Sequence, residues 1–170
     1  YCRTERPTTT MPGIAGYIAH AGVRIAPDVL PAMVGAMLHE PFYRSGTLLA
    51  PEVDAAVGWV VHADAYSDCM PVWNATGELA LVFVGEDHGD RTRPAADRAT
   101  ALMALYEASG PAFLAELNGT FCGLLIDRRT LAVTLFNDRH GMCRLYVHEN
   151  EQGVFFASEA KALLRVLPAT

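Results

Sequence analysis

Dense apolar runs rich in β-forming residues recur along the chain at Gly13–Ala19, Val57–Val61, Leu79–Val84, Phe121–Ile126 and Leu131–Phe136. Each is short enough to be a strand and is bounded by polar or glycine-containing turns. Leu79-Ala80-Leu81-Val82-Phe83-Val84 is apolar without alternation, which predicts a strand covered on both faces. The turn at Asp127–Thr130 joins the last two of these runs into a hairpin. A second hairpin is predicted from Arg144–Val147 and Val154–Ala157 around Glu149–Gly153.

Helical spacing appears elsewhere. Pro27 and Asp28 suit a helix start, and Leu30, Met33, Val34, Met37 and Leu38 mark one buried face before Pro41 ends it. Asp97 can cap a helix running through Tyr106, with Leu102, Leu105 and Tyr106 on its apolar side. Gly110-Pro111 breaks that helix and opens a short one through Leu117, and Ser158 can cap a last helix over Glu159–Val166. Tyr43–Thr47, Asp64–Pro71 and Gly85–Asp90 read as loops. Helices in separate blocks among many strands suit two packed sheets with outer helices, or a two-layer α+β domain; periodicity does not separate them.

At 170 residues, 51% of them hydrophobic and 19% charged, the chain has the size and balance of one globular domain. A net charge of −6 with scattered Lys and Arg disfavours nucleic acid and anionic membranes as partners. No apolar run approaches the roughly 20 residues that span a bilayer. Cys2, Cys69, Cys122 and Cys143 form no Cys-x-x-Cys pair and have no His at zinc-ligand spacing, so no metal is expected and a reducing cytoplasm is the expected compartment. Residues 1–10 carry no signal-peptide core and read as a leader or expression remnant ahead of a domain over residues 11–170.

The most constrained stretch is Met11-Pro12-Gly13-Ile14-Ala15-Gly16, where two glycines three apart allow very close backbone approach. It resembles the Met-Cys-Gly-Ile-Ala-Gly opening of class II glutamine amidotransferase domains, as found at the front of asparagine synthetases. Later blocks resemble the same family in the same order. Ala104-Leu105-Tyr106-Glu107 is similar to its Ala-Leu-Tyr-Glu helix end, and Leu117-Asn118-Gly119-Thr120-Phe121 to its Leu-Asn-Gly-Met-Phe. Asn137–Tyr146 is similar to Arg-Asp-Arg-Phe-Gly-Ile-Lys-Pro-Leu-Tyr, and Phe156–Leu164 to Phe-Ala-Ser-Glu-Ile-Lys-Ala-Leu. The resemblance implies an α+β fold of Ntn-hydrolase type, a four-layer αββα sandwich. Asp138 and Arg139, in one of these blocks, read as a turn-fixing or mutually paired set.

In that family the exposed N-terminal Cys attacks the glutamine side-chain amide, forming a thioester and releasing ammonia. By resemblance, Pro12 stands at the nucleophile position and carries no thiol. Val84 stands where the family has its oxyanion-hole Asn, and valine donates no hydrogen bond to an oxyanion. Val61 falls where the family has the Arg that holds the glutamine carboxylate. Gly85 keeps the family residue of the oxyanion turn. Asp97, or Arg98 one residue on, falls at the position of the Asp that binds the substrate amine, so Gly85 and Asp97 remain as a vestigial pocket.

These substitutions imply a degenerate glutaminase-like domain, a pseudoenzyme serving as structural or docking partner of an asparagine-synthetase-like, ATP-dependent amide-forming enzyme. Relatives such as β-lactam synthetases likewise lack the Cys. The Ser-Gly-Gly-x-Asp-Ser pyrophosphate loop of the synthetase half is missing from this sequence, so ATP and Mg are expected only in a partner synthetase domain or subunit. Phe42-Tyr43 is a candidate contact for that partner, and a homo-oligomer is a further expectation. The alternatives are an active glutamine-hydrolysing amidotransferase, with Cys69 or Cys143 as displaced nucleophile, and a non-catalytic small-molecule-binding domain.

Overall fold

The computed structural model describes residues 13–62, 69–88 and 95–167. Pro12, residues 1–10 and most of the Asp64–Pro71 loop lie outside them. The chain is a mixed α/β structure built on two antiparallel sheets. The five-stranded sheet contains β1 (Gly13–Ala19), β2 (Tyr43–Ala50), β3 (Ala55–His62), β8 (Tyr146–Asn150) and β9 (Gly153–Ala157), in the order β2-β3-β1-β9-β8. The four-stranded sheet contains β4 (Val72–Trp73), β5 (Leu79–Asp87), β6 (Gly119–Asp127) and β7 (Ala132–Asn137), in chain order. Helices α1 (Val29–Met37) and α3 (Ala160–Leu164) pack on the first sheet, and α2 (Ala95–Ser109) packs by the second.

Alternation along the strands sorts side chains into two apolar cores. In β1 and β3, Ile14, Val57, Trp59 and Val61 join a cluster with β5 and β6. Their neighbours Ala15, Ala56 and Val60 face a second cluster with Leu30, Met33, Val34 and Met37 of α1 and Leu163 of α3. The uniformly apolar β5 is buried over Leu79–Val84, as its sequence predicts, because α2 and the first sheet cover its two faces.

Central placement of β1 explains its glycines. A Cβ on Gly16 would collide with the Ala56 carbonyl and sit 2.7 Å from Phe156 Cζ, so the neighbouring strands close around bare backbone. At Gly13 a Cβ would fall on the Ser158 hydroxyl.

Several sequence expectations are corrected. Tyr43–Thr47 is not a loop but the first part of β2, paired with β3 from Tyr43↔His62 to Ala50↔Ala55. As an edge strand it needs one hydrogen-bonded neighbour and no continuous apolar face, so its polar composition concealed it. Gly85–Asp87 likewise continue β5, because Phe121, Thr120 and Gly119 of β6 pair with them. The first helix begins at Val29, with Asp28 before it making no side-chain cap. Asp97 does not cap α2, which starts at Ala95 and places it in the first turn. The segment after Gly110 is a 3-10 turn ending at Ala115 rather than a helix to Leu117. Ser158 does not cap α3; its hydroxyl donates to the Ile14 carbonyl (3.2 Å), and Glu159 is the N-cap residue. Leu131 stays in the turn at φ 54°, so β7 begins at Ala132. The second hairpin is shifted towards Asn150, leaving Arg144 and Leu145 outside it. No helix among the described residues is long and apolar enough to cross a membrane.

The β6–β7 turn is held by a buried charge. The Asp127 carboxylate accepts from Arg129 Nε (3.0 Å), Nη2 (2.7 Å) and backbone N–H (2.9 Å), and from the Tyr106 hydroxyl of α2 (3.2 Å). The Arg129 side chain, assisted by its backbone N–H and by Tyr106, draws the Asp127 carboxyl down to about 2 against the opposing effect of burial.

Two outcomes follow from this packing. Gly16→Ala should lower unfolding stability by about 3 kcal/mol in urea titration, since the neighbour that must yield is backbone. The Asp127 carboxyl has a folded pKa below its unfolded value of about 4, so its contribution is complete above that pH and lost as pH falls towards about 2. Screening at the half-exposed Arg129 leaves on the order of 1–2 kcal/mol. Wild type and Asp127→Asn should therefore differ by that amount at pH 7 and converge on acidification, as read by denaturation at successive pH values.

Candidate functional site

The start of β1 is fixed from both sides. Gly13 pairs with Val60 of β3, and from Ala15 onward the strand also pairs with β9. The Ile14 carbonyl accepts from the backbone N–H of Ser158 (2.8 Å) as well as from its hydroxyl. This anchors the chain where it emerges from position 12, which lies outside the described residues. The inner side of that anchor is the core between the two sheets.

What lines it is apolar. Ile14 and Val84 are wholly buried and Val61 is 1% exposed, all within the core cluster between the sheets. Val84 pairs with Cys122 of β6, and Gly85 pairs with Phe121. Gly85 has φ +117°, and a Cβ there would collide with the Thr120 carbonyl, so this position requires glycine. Val61 lies on β3 of the first sheet, and Val84 and Gly85 lie on β5 of the second. Asp97 does not join them: it is exposed on the first turn of α2. Its neighbour Arg98 instead lines a cavity of about 290 Å³, with Asp87, Leu102, Leu105, Glu116 and Leu117 along its walls.

Beside Ile14 lies a pair of thiols that sequence reading did not connect, next to Asp138, which fixes its turn as one of the two sequence readings had it. Cys122 and Cys143, 0% and 3% exposed, are in thiol–thiol hydrogen-bond contact. The bond to Cys143, then burial, pushes the Cys122 thiol well up, opposed by the Ile14 N–H. Accepting that bond draws Cys143 down, although burial resists. Asp138 organises the loop that carries Cys143. Its carboxylate accepts from the backbone N–H groups of His140 (3.0 Å), Met142 (3.0 Å) and Cys143 (2.6 Å). Burial would raise the Asp138 carboxyl, but these bonds outweigh it and hold the group below its ordinary value. Arg139 is not its partner; Arg139 Nη2 donates to the Ala115 carbonyl (2.9 Å). The Asx-turn character of Asn137–Gly141 was a visible signal for the loop, whereas the Cys122 contact depends on strand pairing.

A second polar group lies on the α1 and α3 side. His39 Nε2 is 3.1 Å from both Glu159 carboxylate oxygens, and Lys161 Nζ is 2.8 Å from Glu159. Nearby, Phe42 stacks on His62 at 5.6 Å with the rings 12° apart, and Tyr43 meets both edge-on. Among the described residues no group of His, Cys, Asp and Glu could hold a metal ion.

The pattern of the family described as glutamine amidotransferase domain matches residues 62–165. That span contains Val84, Gly85 and Asp97 and begins just after Val61. Asparagine synthetase B [glutamine-hydrolyzing] from Escherichia coli (strain K12) is 31% identical over 114 residues, covering 61% of this chain and 21% of that protein. The chain therefore spans about a fifth of the length of this curated relative.

Removing the Asp138 carboxylate leaves buried N–H groups without an acceptor. Asp138→Ala is expected to cost on the order of 3 kcal/mol in chemical denaturation. It should also accelerate alkylation of Cys143 in the folded chain, read by mass spectrometry, since the loop loses its central acceptor.

Proposed function

The chain belongs to the glutamine amidotransferase domain family, and from that membership we propose that it is a member without glutaminase chemistry of its own. In this reading it serves as the structural and docking partner of an asparagine-synthetase-like, ATP-dependent amide-forming domain, with the two sheets and outer helices as the αββα sandwich of Ntn hydrolases.

The observation that carries the proposal is that Val61 and Val84 are both buried in the apolar core cluster between the sheets. A glutaminase site must hold the α-carboxylate of its substrate and stabilise the oxyanion formed when the amide carbon is attacked. Valine does neither. A carboxylate brought against these side chains would lose its hydration without gaining a charge-assisted hydrogen bond. Among the described residues, the buried charged side chains are Asp127 and Asp138, both acidic. One is engaged by Arg129 and Tyr106 and the other by backbone N–H groups, so neither is available to anchor an anion.

Pro12 extends the same logic to the nucleophile. Proline has no thiol to form the glutamyl thioester, and at a chain terminus it would carry only a secondary amine. Gly85, the family residue by resemblance, is demanded here on structural grounds alone, since its φ of +117° and the Thr120 carbonyl leave no room for a side chain. Its retention therefore fits a preserved frame around a lost reaction. Asp97, on the outer surface of α2, is left without a place in a substrate pocket.

For docking, Phe42 is 56% exposed yet fixed by Tyr43 and His62, and Leu38 at the end of α1 is 41% exposed. A rigid, partly exposed aromatic is well suited to contact a synthetase domain because little side-chain entropy remains to be lost. ATP and Mg belong, in this reading, to the partner.

Release of ammonia and glutamate from glutamine is the test, using the full chain and a version starting at Met11, each with and without Pro12→Cys. Neither background should show turnover above buffer, even with the Cys version processed to a free N-terminal thiol, because Val61 and Val84 still lack the groups that hold substrate and oxyanion. Glutamine-dependent ammonia release by the unsubstituted chain would overturn the proposal. Activity confined to the processed Cys version would limit the loss to position 12.

A further inference from the structure

We infer that Cys122 and Cys143 form a peroxide-oxidisable dithiol site, closing to a disulfide that ties the Asp138 loop to β6 behind the first strand. Their proximity is built by contacts independent of the thiols. Cys122 pairs with Asn137 across β6 and β7, which brings the start of the loop alongside it. The Asp138 N–H then donates to the carbonyl of Phe121, the residue before Cys122 (2.8 Å). From the other end, Cys143 is held by its N–H bond to Asp138 and by Asn137 Nδ2 donating to its carbonyl (3.3 Å). These bonds bring Cys143 back beside the Cys122 position of β6 without involving either sulfur.

Access and reactivity are divided between the two. Cys122 lies on a central strand of its sheet and is wholly buried. Cys143 is also buried, but it sits in a loop whose His140, Gly141, Met142 and Arg144 are exposed, so local opening of that loop is its route to a small oxidant. Donation from the Cys122 S–H favours the thiolate at Cys143, the form that reacts with peroxides.

The chemistry balances with hydrogen peroxide as the oxidant. Cys143 thiolate attacks one peroxide oxygen, the O–O bond breaks, and hydroxide leaves, giving a sulfenic acid at Cys143. Cys122 sulfur then attacks the sulfenic sulfur. The S–S bond forms, the S–O bond breaks, and the Cys122 proton leaves with the departing hydroxide as water. In total two thiols and one peroxide give one disulfide and two waters. A nearby resolving thiol makes this second step faster than further oxidation to the sulfinic acid.

The test treats the folded full chain with hydrogen peroxide, alkylates the remaining thiols in denaturant, and maps the digest by mass spectrometry. A peptide linking Cys122 to Cys143 is expected, reversed by dithiothreitol, with a rise of about 5–10 °C in melting temperature from the closed loop. Cys143→Ala and, separately, Cys122→Ala should each abolish the linked peptide. Three results would overturn the inference: sulfinic acid at Cys143 with Cys122 still alkylated, a bond joining either residue to Cys2 or Cys69 instead, or both thiols recovered unmodified while Cys69 is oxidised. Because the bond is mapped in the unsubstituted chain, a variant that fails to fold leaves the result decisive.

Discussion

The molecule depends on how closely β3 and β9 close around β1. That closure is possible because Gly13 and Gly16 present no side chain where Ser158, the Ala56 carbonyl and the Phe156 ring would be struck. With β1 central, Ile14 is pushed inward against the second sheet while Ala15 faces the helices, and the same alternation passes to β3 and β9. Both apolar cores are consequences of that one strand position. A glycine here loses more backbone entropy on folding than any other residue, and the packing it permits offsets the loss.

The same closure sets what the region beyond Ile14 can do. A pocket meant for an amino acid substrate must offer fixed polar groups at its walls, since a zwitterion leaves water only for equivalent hydrogen bonds. Here Val61 of β3 and Val84 of β5 are buried in the apolar core. The polar capacity that remains is turned towards structure: Asp138 spends its lone pairs on three N–H groups of its own loop, and Asp127 spends its on a hairpin turn. Apolar side chains at such positions add to the core, because their burial needs no polar partner.

Much of this was legible in the chain. Apolar density marked β1, β3, β5, β6 and β7, and the spacing of Leu30, Met33, Val34 and Met37 marked α1, because burial imposes these patterns directly. The blocks by resemblance gave Val61, Val84 and Gly85 as positions of one site, and the structure puts Val61 and Val84 in the core between the sheets. The edge strand β2 was hidden because Tyr43, Arg44, Ser45 and Thr47 need no buried face when only one side of the strand is paired. Helix starts were misplaced by a residue or more at Asp28, Asp97 and Ser158, since a residue able to cap is also able to bond elsewhere, as Ser158 does with Ile14.

What the sequence determined by itself, then, was which segments must be buried and which positions carry no polar side chain, for valine and proline offer neither a thiol nor a side-chain hydrogen-bond donor in any fold. Only the tertiary structure decided which lone residues meet. Cys122 and Cys143 are far apart in the chain and carry no spacing signal, and Asp97 and Arg98 are neighbours that face different surroundings. Contacts of that kind are set by strand register and loop closure, which depend on the whole sheet rather than on any local run of residues.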